Sequence, residues 1–95
     1  MIQAKTHQSV AYSVYIVRCA DDTFYTGIAR DINKRIADHN AKQMGRGAKY
    51  TRGRQPVRLV YSRLLESRSA ALIEEVRIKK LSRAQKKKLI KSENY

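Results

Sequence analysis

The chain has one cysteine, one proline, one phenylalanine and no tryptophan. A single cysteine, Cys19, excludes an internal disulfide and any zinc cluster built on cysteines. No apolar run approaches the roughly 20 residues that a membrane-spanning helix needs. With no Trp and only Phe24 as a bulky anchor, a helix lying in a membrane surface is also a poor reading. The first residues, Met1 to Gln8, lack the apolar core of a signal peptide, so the sequence reads as cytoplasmic. Several catalytic signatures are missing: G-x-S-x-G, H-E-x-x-H, the P-loop, G-x-G-x-x-G and any dense carboxylate cluster for two metals. Scarcest of all is negative charge. Eight Asp plus Glu face 21 Lys plus Arg, a net charge of +13 on 95 residues. Such a charge calls for a polyanionic partner, most often nucleic acid.

The cations fall in two blocks that contain no acid. Six basic residues lie between Lys42 and Arg58, and eight between Arg77 and Lys91. From the first block, Lys42, Arg46, Lys49, Arg52 and Arg54 are candidates for backbone contact, with Tyr50 as a stacking ring among them. From the second, Lys79 and Lys80 join them. The alternative for either block is a solvated, cation-rich surface.

Length allows one domain with a small core. At 42% apolar and 31% charged, the chain has the composition of a globular protein. Residues 1–11 read as a loose N-terminal segment and 12–92 as a single domain. Tyr12 to Cys19 is rich in β-branched and aromatic residues and apolar on both faces, the signature of a central strand. Asp21-Asp22 supplies a turn, and Thr23 to Thr26 returns as a hairpin partner that Gly27 ends. Asp31 can cap a helix running to about Lys42, with Ile32 and Ile36 on one face. Gln43 to Gln55 reads as an exposed loop, and Val57 to Ser62 as a third strand opened by Pro56. Ser67 or Ser69 caps a helix to about Leu81, and Ser82-Arg-Ala-Gln85 has the form of a capping box for one more. The order β-β-α-β-α-α fits an α+β fold: a small three-stranded antiparallel or mixed sheet flanked by helices. Cys19 reads as a small buried hydrophobe.

Tyr15 and Tyr25 stand ten residues apart on paired strands, with Gly27 two residues later, and Arg35 and His39 share a helix face. Spacing alone says little. The ordered set Ser13-Val-Tyr15, Tyr25-Thr-Gly27, Arg35, His39 and then Ala71-Leu-Ile-Glu-Glu-Val-Arg-Ile-Lys79 resembles the GIY-YIG nuclease superfamily. Its small, stand-alone bacterial members are the nearest in kind, and the resemblance runs from about Tyr12 to Leu89. It implies cleavage of DNA phosphodiester bonds with one divalent ion, Mg²⁺ or Mn²⁺, held by one glutamate. By position, Tyr15 matches the tyrosine that activates or orients the attacking water, and Tyr25 lines the same site. Gly27 matches the closing glycine, Arg35 the phosphate-contacting arginine, His39 a polar residue one turn later, and Glu75 the metal ligand. Ser13 departs from the family's first glycine, and no asparagine follows the glutamate in the usual place.

The residues allow rival roles. Glu75 and Lys79 have the spacing of an ordinary helix ion pair. Tyr15 would need nearby cations to become a phenolate, and His39 is the rival base. The implied function is a metal-dependent endonuclease, acting on duplex, branched or single-stranded DNA in repair or recombination. The alternative is a nucleic-acid-binding module without catalysis. RNA ranks below DNA as the partner, and a protein partner remains open.

Overall fold

The computed structural model describes residues 10–41 and 49–92. Their elements run β1 (Tyr12–Arg18), β2 (Phe24–Ala29), α1 (Ile32–Asn40), β3 (Arg58–Leu65), α2 (Arg68–Lys79) and α3 (Arg83–Ser92). The sheet is antiparallel throughout, in the order β2-β1-β3. β1 is therefore the central strand, as its two apolar faces require. Val14, Tyr15, Ile16 and Val17 are all at most 1% exposed, which excludes an edge position.

Alternation along the strands divides the core in two. On one face Tyr15, Val17, Cys19, Ala29 and Val57 pack with Ile32 and Ile36 of α1. On the other, Val14, Ile16, Tyr61 and Ile78 of α2 pack with Leu89 and Ile90 of α3. Cys19 is one of the buried hydrophobes, and burial pushes its thiol pKa up.

The punctuation is local chemistry. Asp22 takes a positive φ of 69° in the β1–β2 turn, a conformation Asp tolerates better than most residues. Beside it, Asp21 Oδ1 accepts from the backbone N–H of Thr23 at 3.3 Å and from its hydroxyl at 2.6 Å. Asp31 caps α1 by accepting from Lys34 N at 3.1 Å, and Ser67 caps α2 by accepting from Ala70 N at 3.1 Å. The capping box at α3 is complete. Ser82 Oγ accepts from Gln85 N at 3.1 Å, and Gln85 Oε1 accepts from Ser82 N at 2.8 Å.

Three boundaries differ from the sequence reading. Gly27 does not end β2, which continues through it to Ala29 because Tyr15, Val14 and Ser13 still pair there. β3 runs on to Leu65, since its partner β1 is long enough to hold it. The segment before β3 is not simply an exposed loop. Thr51 is fully buried, and Gln55 Nε2 donates to the carbonyls of His39 and Ala41 at 2.5 and 2.8 Å. Those carbonyls belong to the C-terminal end of α1, where intrahelical donors run out. Asn40 adds a two-way bond to the backbone of Val57, at 3.0 and 2.7 Å. The end of α1 is thus tied to the start of β3. Most of the expected N-terminal segment, and the candidates Lys42 and Arg46, lie outside the described residues.

Because Ser67 sets the start of the helix that carries Glu75, Ser67→Ala is expected to cost about 1 kcal/mol. Urea unfolding should show a lower midpoint at unchanged slope.

Candidate active site

The site begins with a missing side chain. Gly27 pairs directly with Tyr15 across β1 and β2. A Cβ at Gly27 would stand 2.6 Å from the Tyr15 hydroxyl oxygen and 2.8 Å from its Cζ. The Tyr15 ring therefore lies across Gly27, reaching over the outer strand β2.

The hydroxyl it delivers is held by a chain of hydrogen bonds. Arg35 of α1 lies near enough for its charge to act on the Tyr15 side chain. The Tyr15 hydroxyl and His39 Nε2 share a hydrogen bond of 2.7 Å. His39 Nδ1 in turn shares one of 2.9 Å with Thr51 Oγ1, the tautomer of the ring setting which atom donates in each. Tyr15, His39 and Thr51 form one hydrogen-bonded series across three segments. Tyr25 closes it laterally. Its ring meets His39 edge-on at 5.3 Å, lies 6.4 Å from Tyr15 and stacks on Tyr50 at 5.8 Å.

Burial sets the electrostatics. His39 is 0% exposed, and desolvation, then the Arg35 charge, lowers its pKa to about 4. It is neutral at pH 7. Tyr15 is 1% exposed, and its pKa is pushed up to about 12 by burial first and by Tyr25 next. The Arg35 hydrogen bond and charge pull the other way and lose. Cationic surroundings thus do not make Tyr15 a phenolate, contrary to what the +13 charge led us to expect.

Glu75 arrives from α2, on the opposite face of the sheet from α1, yet its charge acts on Tyr15. Its side chain is only 16% exposed and pairs with Lys79 at 3.3 Å. The notch over Gly27 thus holds a phenol against a neutral imidazole, with the charges of Arg35 and Glu75 acting on the phenol.

Residues 11–88 match the family model described as the GIY-YIG catalytic domain. The chain belongs to the GIY-YIG family. It is 51% identical over 78 residues to a UPF0213 protein of Halobacterium salinarum, covering 82% of this chain and 97% of that protein. A UPF0213 protein of Staphylococcus aureus is 48% identical over 81 residues, covering 85% and 95%. The solution NMR structure of the UPF0213 protein BH0048 from Bacillus halodurans superposes with a TM-score of 0.54 at 42% identity, covering 85% of this chain and 83% of that one. These relatives place the chain in a small, stand-alone GIY-YIG group. GIY-YIG is a nuclease fold, and its members generally use a divalent metal and a nucleic-acid substrate.

Whether this GIY-YIG chain suits such a metal can be read from its donors. Among the described residues no three His, Cys, Asp or Glu gather as a ligand cage. The site offers one well-shielded carboxylate that already holds a cation, the Lys79 ammonium. That fits a hard ion such as Mg²⁺, which keeps most of its water and takes further oxygens from a substrate phosphate.

The candidates for nucleic-acid contact are arranged unevenly. Lys49, Arg52 and Lys80 are exposed. Arg54 is engaged by Asp21 at 3.0 Å and by the Tyr50 carbonyl at 2.8 Å, and lies over the Tyr50 ring at 4.2 Å. Tyr50, held by Tyr25 and Arg54, is part of the wall of the site more than a bare stacking platform. Lys79 is drawn to Glu75. Thr51 was absent from the sequence reading, and only its place in the basic loop, 12 positions from His39, hinted at it. Among the described residues no helix is long and apolar enough to cross a membrane.

Two predictions follow from this geometry. Gly27→Ala should push the Tyr15 ring off His39 and destabilise the fold by about 1–3 kcal/mol, as overpacking does. Calorimetry would measure the loss, and the NMR signal of the Tyr15 hydroxyl proton would disappear. His39 also makes stability depend on pH. The folded protein resists its protonation until about pH 4, whereas the unfolded chain takes that proton near 6.5. Between those values the unfolded state binds more protons, so stability falls as pH falls. His39→Gln should flatten that slope relative to the parent in urea titrations from pH 7 to 4.5.

Proposed function

We propose that residues 12–92 form a metal-dependent endonuclease that hydrolyses DNA phosphodiester bonds, acting in the cytoplasm on branched or nicked DNA during repair or recombination. The observation that carries this reading is the buried hydrogen-bonded series of Tyr15, His39 and Thr51 laid over Gly27, with the charges of Arg35 and Glu75 acting on its phenol. A core needs none of these groups, and burying them is costly without a purpose.

Arg35 is the phosphate ligand. Its side chain is 32% exposed, so its fork is half in the site and half open to a substrate, with Asp38 3.9 Å behind it. A planar fork suits the equatorial oxygens of the transition state better than an ammonium does. Tyr15 works with its proton in place. Its hydroxyl oxygen orients the attacking water, and the hydrogen bond to His39 fixes that hydroxyl. His39, neutral at pH 7, is itself held by Thr51. Tyr25 lines the pocket. Glu75 would hold one Mg²⁺ or Mn²⁺, and Lys79 must leave it when the ion arrives. When bound, the ion would neutralise charge on the phosphate and ease departure of the leaving oxygen. Lys49, Arg52 and Lys80 extend the grip along the strand, and Lys42, Arg46 and Arg54 of the first basic block add charge to it.

Plasmid and branched DNA, incubated with Mg²⁺ or Mn²⁺, should be cut by the parent protein and not by Glu75→Ala. Arg35→Lys should cut about 10²–10³-fold more slowly. Equal cleavage by parent and Glu75→Ala would overturn the role given to Glu75, and none by either across substrates would leave a nucleic-acid-binding module. Its signature is salt-dependent binding indifferent to metal.

A further inference from the structure

The C-terminal basic block holds more cations than the site above uses. Arg83, Lys87 and Lys91 recur at every fourth position of α3 and so share one face. They line a groove of about 370 Å³ between α3 and the β1–β2 hairpin. Its floor is apolar: Phe24, Val60 and Ile90. Its rim is cationic, with Arg18 beside the three residues of α3. The one carboxylate there, Asp22, is held by both arginines, bonding Arg83 at 3.1 Å and pairing closely with Arg18. It fixes the arginines in place, and Lys87 and Lys91 stay at the rim for an anion. Arg83 also lies flat over Phe24 at 4.7 Å. None of the residues of the candidate active site lines this groove.

A cationic rim over an apolar floor is the chemistry of a nucleotide, phosphate outside and base inside. Placement decides which kind of nucleic acid. Phe24 and Tyr25 are consecutive on the outer strand β2, and consecutive strand residues point to opposite faces. Phe24 belongs to the core on the α2–α3 side, and Tyr25 to the core on the α1 side with the site. The groove and the tyrosines of the candidate active site therefore face opposite sides of β2, while Glu75 comes from the helix on the groove's side. A polynucleotide touching both must bend sharply round the sheet. Duplex DNA, with a persistence length of about 150 base pairs, resists that bend, whereas a single strand does not.

We infer that this groove binds an unpaired stretch of the nucleic-acid substrate, its base against Phe24, Val60 and Ile90 and its phosphates on Lys87 and Lys91. The inference rests on the proposed nuclease reading for the nature of the ligand and adds the single-stranded flank to it.

Binding in EDTA, without cleavage, tests it by fluorescence anisotropy. The probes are a labelled twelve-residue oligothymidylate and a blunt hairpin duplex. The double variant Lys87→Gln/Lys91→Gln should bind the oligothymidylate about tenfold more weakly, with a salt slope shallower by about 1.4. Its affinity for the hairpin should stay within about twofold of the parent. Lys88 does not line the groove, and Lys88→Gln should change neither by more than about twofold. An equal loss on both probes, no loss, or the same loss per charge from Lys88→Gln would overturn the inference. So would unchanged oligothymidylate binding with lost binding of a polyglutamate peptide, which would mark a site for an acidic protein. Failure of cleavage in the nuclease assay would leave this result readable, because neither metal nor turnover enters it.

Discussion

A tyrosine side chain from the middle of a sheet can reach a neighbour on another element only if the strand beside it leaves room. Here Gly27 leaves that room, and the Tyr15 hydroxyl passes over β2 to meet α1. His39 and Thr51 are buried because that hydroxyl and each other satisfy their polar atoms. The charge of Arg35 acts on both rings, and Thr51 is held inside by the imidazole. Removing the phenol would leave an imidazole and a hydroxyl in the core without a full set of partners, which is costly.

That dependence explains the unusual mixture of charge states. In an open cleft the surplus of cations would favour a phenolate and discourage an imidazolium. In the closed notch desolvation outweighs the field, so phenol and imidazole are both neutral. Arg35 and Glu75, each paired with a neighbour of opposite charge, come from helices on opposite faces. Other cations act elsewhere, at Lys49 and Arg52 and along α3, where water and salt temper them.

Much of this was visible in the residue order. The apolar residues on both faces of Tyr12 to Cys19 marked the central strand, Asp21-Asp22 the turn, and Asp31, Ser67 and the Ser82–Gln85 pair the helix starts. These are local signals, decided within a few residues. Tyr15, Tyr25, Gly27, Arg35, His39 and Glu75 stood out as a set only through the family resemblance, because none is unusual in its own neighbourhood. What stayed hidden depends on contacts distant in sequence. Thr51 sits among Gly, Lys and Arg, which mark an exposed loop, and only the imidazole 12 positions earlier pulls it inside. Gly27 looked like a strand terminator because its backbone freedom was the obvious local property. Its use is the absence of a side chain, and that shows only when Tyr15 is placed opposite. The pinning of Arg54 by Asp21, 33 positions away, is another case.

The pairing of Tyr15 with Gly27 also constrains how such a chain can change over generations. A phenol laid over a glycine is a poor way to fill a core, since an apolar side chain of similar size would fill the same volume with no hydroxyl to satisfy. A lineage freed from chemistry would drift toward that filling, first at position 15 and then at 27. Keeping phenol and glycine together is therefore a heritable mark of use, readable from two positions in any relative without an assay.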